Sequence, residues 1–153
     1  MNLLVALSKG PALFTGAGIN HEGESFVGRM EILQLVGGKG LLLHYTATRS
    51  DGILVHEEST LLSTNDEQEL CLWPVMEELP FVLPHPEFSS SIREDGTLVV
   101  VFASGPRSFT EVFREEITIE TSENGSISYS HAWGMPDGNF EARSSCKLAP
   151  SDA

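Results

Sequence analysis

The sequence predicts an all-β fold: one antiparallel up-and-down barrel of about ten strands, led by a short helix. Three observations predict it. Tight-turn dipeptides recur along the chain at Asp51-Gly52, Asp95-Gly96, Asn124-Gly125 and Asp137-Gly138, and such turns need the positive φ that Gly, Asn and Asp tolerate. The stretches between turns are mostly ~8–12 residues, rich in Val, Ile, Leu, Thr, Phe and Tyr, as strands of an all-β domain are. No segment after residue 10 carries a helical period. Without crossover helices the strands must run antiparallel, and closure into a barrel removes the two exposed edges of a flat meander.

In chain order, Asn2 to Lys9 reads as a helix capped by Asn2 and ended by Gly10-Pro11, with Leu3 and Leu7 on one face to plug a barrel end. Ten strands follow at about 12–21, 24–36, 39–49, 53–64, 67–76, 86–93, 97–104, 111–121, 125–134 and 139–148. Alternation sets their faces. Phe113, Glu115, Ile117 and Ile119 point inward, with Arg114, Glu116, Thr118 and Glu120 outward. Ile127, Tyr129, His131 and Trp133 oppose Ser128, Ser130 and Ala132. Phe140, Ala142, Ser144, Cys146 and Leu148 oppose Glu141, Arg143, Ser145 and Lys147. The small inward residues Ala142 and Ser144 predict an interior with room for a ligand. Segment 73–86 carries four prolines, which forbid a regular central strand beyond Trp73. Its apolar Trp73, Val75, Met76, Leu79, Phe81, Val82 and Leu83 predict a cap or lid over one mouth. The chain, 1–153, reads as a single domain, with residues 1–10 closing one end and a frayed tail over 149–153.

Composition narrows the function. Apolar residues make up 41% of the 153 positions, enough for a core. Nine Lys and Arg against 22 Asp and Glu give a net charge of −13, which repels phosphate backbones and anionic lipid surfaces. Neither a nucleic acid nor a membrane is therefore the expected partner, and no apolar run approaches the ~18–20 residues that span a bilayer. The start lacks the basic residues and long apolar run of a secretory signal, so a cytoplasmic location is expected. Cys71 and Cys146, the two cysteines, form no C-x-x-C and are expected to be reduced and half-buried, paired only if their strands are neighbours.

Leu13-Phe14-Thr15-Gly16-Ala17-Gly18 opens the first strand, and a long meander with a Gly-Gly turn at 37–38 follows. This resembles the calycin superfamily, the lipocalin-like and fatty-acid-binding-like barrels, with the ten-stranded nitrobindins as relatives. Nitrobindins open with G-x-W-x-G-x-G: Gly16 and Gly18 match its last two glycines, while Phe14 stands for Trp and Ala12 for the first Gly. The resemblance implies a barrel and a possible cavity. Nitrobindin-like proteins hold haem through a histidine on the final strand, and strand 139–148 has none. Fatty-acid-binding proteins clamp a carboxylate with Arg-x-Tyr on the last strand; here Ser144 and Ser145 follow Arg143. No particular ligand and no cofactor is implied.

Nucleophile elbows, phosphate loops and H-E-x-x-H are absent. Gly16-Ala17-Gly18 has no helix after it and is better read as a close backbone approach at a barrel corner. Of the five histidines, His131 is the strongest candidate, because Tyr129 and Trp133 share its face; His44 and His56 are expected to point outward. The pairs Glu57-Glu58 and Glu115-Glu116 cannot form dyads, since strand neighbours face opposite sides. Glu77-Glu78 is expected to be solvated. Inward Glu115 would have a raised pKa unless paired. The resulting expectation is a non-enzymatic carrier of a small apolar molecule inside the barrel. Tyr129, His131 and Trp133 would contribute from the wall, Trp73 and Met76 from the lid, and Phe113 and Glu115 as second choices. The alternatives are an enzyme on a hydrophobic substrate with Glu115 or His131 as acid or base, and a filled barrel serving as an interaction module.

Overall fold

A computed structural model describes residues 2–152. One helix, α1 (Leu3–Lys9), precedes ten strands: β1 (Leu13–Asn20), β2 (Ser25–Leu35), β3 (Gly40–Arg49), β4 (Leu54–Thr64), β5 (Leu70–Met76), β6 (His85–Ile92), β7 (Leu98–Ala103), β8 (Arg114–Thr121), β9 (Ile127–Gly134) and β10 (Glu141–Pro150). Each strand pairs antiparallel with the next, and β1 pairs with β10 to close the barrel. The expected all-β barrel with its leading helix is what the chain forms.

The faces follow alternation. Along β2 the inward set Phe26, Met30 and Ile32 is buried, while Val27, Arg29, Glu31 and Leu33 are exposed. Phe14, Leu41, Leu43, Leu62, Leu72, Phe102, Ile117 and Ile119 fill the axis, each at most 2% exposed. Burying one such side chain stabilises the fold by about 1.5–3 kcal/mol. Asn2 caps α1 by accepting from the Val5 amide at 2.9 Å, and Leu3 and Leu7 join the core, so the helix plugs its end as expected. Gly16 and Gly18 do mark a close approach. A Cβ on Gly16 would lie 1.7 Å from the Lys147 carbonyl oxygen, and one on Gly18 would lie 2.2 Å from the Phe26 ring.

Several expectations change. β5 runs through Pro74 to Met76. The proline fits because β5 meets β6 only at Cys71–Pro86 and Leu72–His85, so the missing N–H falls beyond that short ladder. Trp73 therefore stands on the outer face of β5, opposite Leu61, rather than in a lid. Phe81 and Val82 in the following loop are 50% and 45% exposed, so they do not seal a mouth. Strand β10 extends to Pro150, and the Ser151 amide donates to the Leu13 carbonyl at 2.9 Å, so the tail is paired through 151. Phe113 precedes β8, which begins at Arg114. Arg114, expected outside in water, is buried, donating to the carbonyls of Arg107, Met135 and Gly138 and tying two loops together. Cys71 and Cys146 are free and fully buried, on strands that are not neighbours.

Candidate functional site

One end of the barrel, opposite α1, gathers the polar interior. Its centre is Glu58 on β4, which is 1% exposed. A carboxylate buried to that degree requires partners, and Glu58 has four. Oε1 accepts from His131 Nε2 at 2.7 Å and from His56 Nε2 at 3.1 Å. Oε2 accepts from the Thr60 hydroxyl at 2.9 Å and from the Tyr129 hydroxyl at 3.1 Å.

The second ring nitrogen of each histidine is also engaged. His56 Nδ1 lies 2.8 Å from Glu78 Oε1, and His131 Nδ1 lies 3.4 Å from Ser144 Oγ. Aromatic rings hold the group in place: Tyr45 sits 4.8 Å from Tyr129 between ring centroids, and Tyr129 meets His131 edge-on at 5.0 Å.

The electrostatics follow from burial set against donors. Burial opposes charge on Glu58, but His131 and His56 outweigh it and hold the carboxyl well below the usual carboxylate range. Burial likewise opposes a charged His56, yet Glu58 and Glu78 flank both ring nitrogens and push it up to about 10. Burial and the neighbouring Glu58 carboxylate push the Tyr129 hydroxyl well above its ordinary value. The mouth thus holds an imidazolium between two carboxylates.

Above this group lies a cavity of about 170 Å³, lined by His21, Tyr45, His56, Glu78, Trp133, Arg143 and Ser144 among others. Arg143 donates from Nε to the Trp133 carbonyl at 3.2 Å and lies over the Trp133 ring at 5.4 Å. It reaches the mouth because β10 is irregular between Ala142 and Ser144. A bulge inserts a residue and re-aims the side chains around it. The same shift corrects the expected face of Ala142, which pairs with Ala132 and is exposed.

The structure brings Tyr129, His131, Trp133 and Met76 to this end, though Met76 comes from the wall of β5, opposite Glu58. Glu115 is inward and buried but binds His85 Nε2 at 2.9 Å, and the other nitrogen of that ring faces the Leu83 carbonyl at 2.6 Å. His85 and Glu115 are 0% and 1% exposed, a brace between β6 and β8 beside the short β5–β6 ladder. Trp73 and Phe113 are not among the residues lining the mouth cavity.

His56, Glu58, Thr60 and Glu78 were missed. His56 points inward by alternation, in unbroken β3–β4 register with Glu58, Thr60 and Leu62; the slip between Ala47 and Thr48 comes only after the Ala47–His56 pair. The signal was present as the run His56-x-Glu58-x-Thr60-x-Leu62, four residues of one strand face. The rule that the apolar face is the inner one concealed it, since three of these four inner residues are polar.

Among solved structures, the crystal structure of Rv2717c from M. tuberculosis is similar, with a TM-score of 0.75 at 15% sequence identity, over 97% of this chain and 96% of that one. No family model and no curated protein matches the chain. At this identity the likeness is one of fold alone, extending over nearly the full length of both chains.

Proposed function

We propose that the protein is a calycin-like binding protein that takes a small, anionic, partly aromatic ligand at the His56–Trp133 mouth, rather than a long apolar chain along the axis. The observation that carries this reading is a filled axis with a small cavity, lined by aromatic and basic side chains, directly over the buried Glu58 cluster. The axis is occupied by Phe14, Met30, Leu43, Leu62, Phe102 and Ile117, none more than 2% exposed. The mouth above Glu58 is open over about 170 Å³. That is less than the roughly 300–1,000 Å³ of pockets for drug-sized molecules, so the ligand has few heavy atoms.

The polar groups that face the space favour an anion. Arg143 and His21 supply donors, against the single lining carboxylate of Glu78, whose charge is met by His56. The rings of Trp133 and Tyr45 supply a flat apolar wall. Orientation would come from the Arg143 guanidinium, and affinity from apolar area at about 25 cal/mol per Å².

The test uses Trp73→Phe, which leaves Trp133 as the one tryptophan of the two. Benzoate titrated into this variant is expected to change Trp133 emission saturably, and Arg143→Ala is expected to weaken the response about tenfold or more. Palmitate is expected to leave it unchanged. Saturable palmitate binding with no response to benzoate would reverse the reading in favour of an axial apolar ligand.

A further inference from the structure

We propose that His56, Glu58 and His131 form a binding site for one divalent first-row transition ion, of the Zn²⁺ or Fe²⁺ class, at the floor of the mouth cavity. The inference rests on the mouth being the functional site and adds a metal to it. Four observations carry it.

The first is convergence. Glu58 Oε1 stands 2.7 and 3.1 Å from the two Nε2 atoms, and the three donor atoms lie within 4.8 Å of one another. Two ligands about 2.0–2.2 Å from one ion are at most about 4.4 Å apart, so closure asks for little movement.

The second is the anchoring of the carboxylate. Thr60 and Tyr129 both hold Oε2, which leaves Oε1 as the oxygen turned toward the imidazoles. Hydrogen bonding among the three residues alone does not require both hydroxyls on one oxygen and both imidazoles on the other; a ligand set with one metal-facing oxygen does.

The third is the outer layer. A ligating histidine characteristically engages its remaining nitrogen with a carboxylate, carbonyl or hydroxyl, which fixes its tautomer. Glu78 and Ser144 already occupy those positions for His56 and His131. A bound ion would displace to solvent the protons that lie between Glu58 and the two Nε2 atoms, leaving His56 Nδ1 to Glu78 and His131 Nδ1 to Ser144 Oγ.

The fourth is access. Glu58 and His131 are buried and His56 is half-buried, and both histidines line the cavity, so the remaining coordination positions would face solvent and ligand. Two imidazoles and one carboxylate select a transition ion over Ca²⁺ or Mg²⁺, which take oxygen ligands. Three protein ligands with open positions are the arrangement of reactive rather than purely structural metal sites.

The experiment uses untagged, EDTA-stripped, full-length protein. Co²⁺ is followed by its visible d–d absorption and Zn²⁺ by calorimetry. The expected result is one ion per chain, with affinity lowered at least about 100-fold in His131→Ala and His56→Ala, and about 10–100-fold in Glu78→Gln. His56 is at the rim and only half-buried, so its variant remains informative if a change at His131 disturbs folding; circular dichroism of each variant checks this. His44, half-buried on the outer face beside Glu57, is the control. Absence of one-to-one binding, or binding lost in His44→Ala but kept in His56→Ala, overturns the site. Benzoate binding measured on the stripped protein reports on the mouth separately, so loss of one result leaves the other standing.

Discussion

Glu58 is the residue on which the interior turns. It is the fully buried common acceptor of two imidazoles and two hydroxyls. Removing one partner of a buried, hydrogen-bonded charge cluster costs about 3–5 kcal/mol, because the groups left behind stay desolvated. Glu58→Ala in the metal-free protein is therefore expected to lower unfolding free energy by about that amount, read from urea midpoints. The pH dependence has a definite sign. Folding depresses the Glu58 carboxyl from its ordinary 4.5, so its contribution is complete above that value and is lost as pH falls below it. Folding raises His56 from 6.5 to about 10, so its contribution is complete below 6.5 and is lost as pH rises through about 10. Wild type is expected to show both limbs in urea melts from pH 3 to 10.5, and Glu58→Ala to flatten both; an unchanged acid limb would remove Glu58 as its source. At this scale the sequence was only partly legible. Tyr129 and His131 were found because aromatic neighbours marked an inner face. Glu58 and His56 were passed over because β4 carries polar residues inward, against the usual sense of the pattern.

At the scale of the element, bulges and glycines decide what the strands can place. The ten strands were legible to within about three residues, since turn dipeptides and alternation are local signals. The register slips were not, because a bulge is set by the partner strand as much as by its own residues. The slip at Ala142–Ser144 is what turns Arg143 toward the mouth, and the slip at Ala47–Thr48 breaks the β3–β4 ladder just past His56. The first-strand glycines were legible as a close approach, and their cost is testable. A methyl at Gly16 would sit 1.7 Å from backbone oxygen of β10, which cannot yield without opening the β1–β10 seam. Gly16→Ala is expected to destabilise by about 1–3 kcal/mol or more. Gly40→Ala, whose nearest neighbour would be a Leu61 methyl at 3.4 Å, is expected to cost much less. Chemical denaturation of the two variants side by side checks this, and equal losses would show that the approach at Gly16 carries no special load.

At the scale of the molecule, closure and charge act against each other. Closing β1 onto β10 removes the open edges through which an antiparallel sheet would join other chains, and this followed from composition and turn spacing alone. The filled axis did not follow. The small residues Ala142 and Ser144 suggested internal room, but the bulge turns Ala142 outward, and large side chains from other strands occupy the space. The same closed surface carries a net charge of −13. Exposed ion pairs such as Arg49–Asp51, Arg93–Glu120 and Arg29–Glu31 offset little of it, since exposed pairs contribute about 0–1 kcal/mol each and salt screens them. Repulsion among 22 acidic side chains set against nine basic ones is the larger effect at low ionic strength. Screening length falls from about 30 Å at 0.01 M to about 8 Å at 0.15 M, so added salt relieves repulsion across the whole barrel while weakening only pairs already worth little. The Glu58 cluster is buried and is screened much less, so it does not reverse the sign. The melting temperature is therefore expected to rise as NaCl increases from 0.01 to 0.3 M at pH 7, and the rise should shrink toward pH 5 as surface carboxylates protonate. A melting temperature that falls with salt would mean that specific ion pairs, rather than net charge, govern the surface energetics of this barrel.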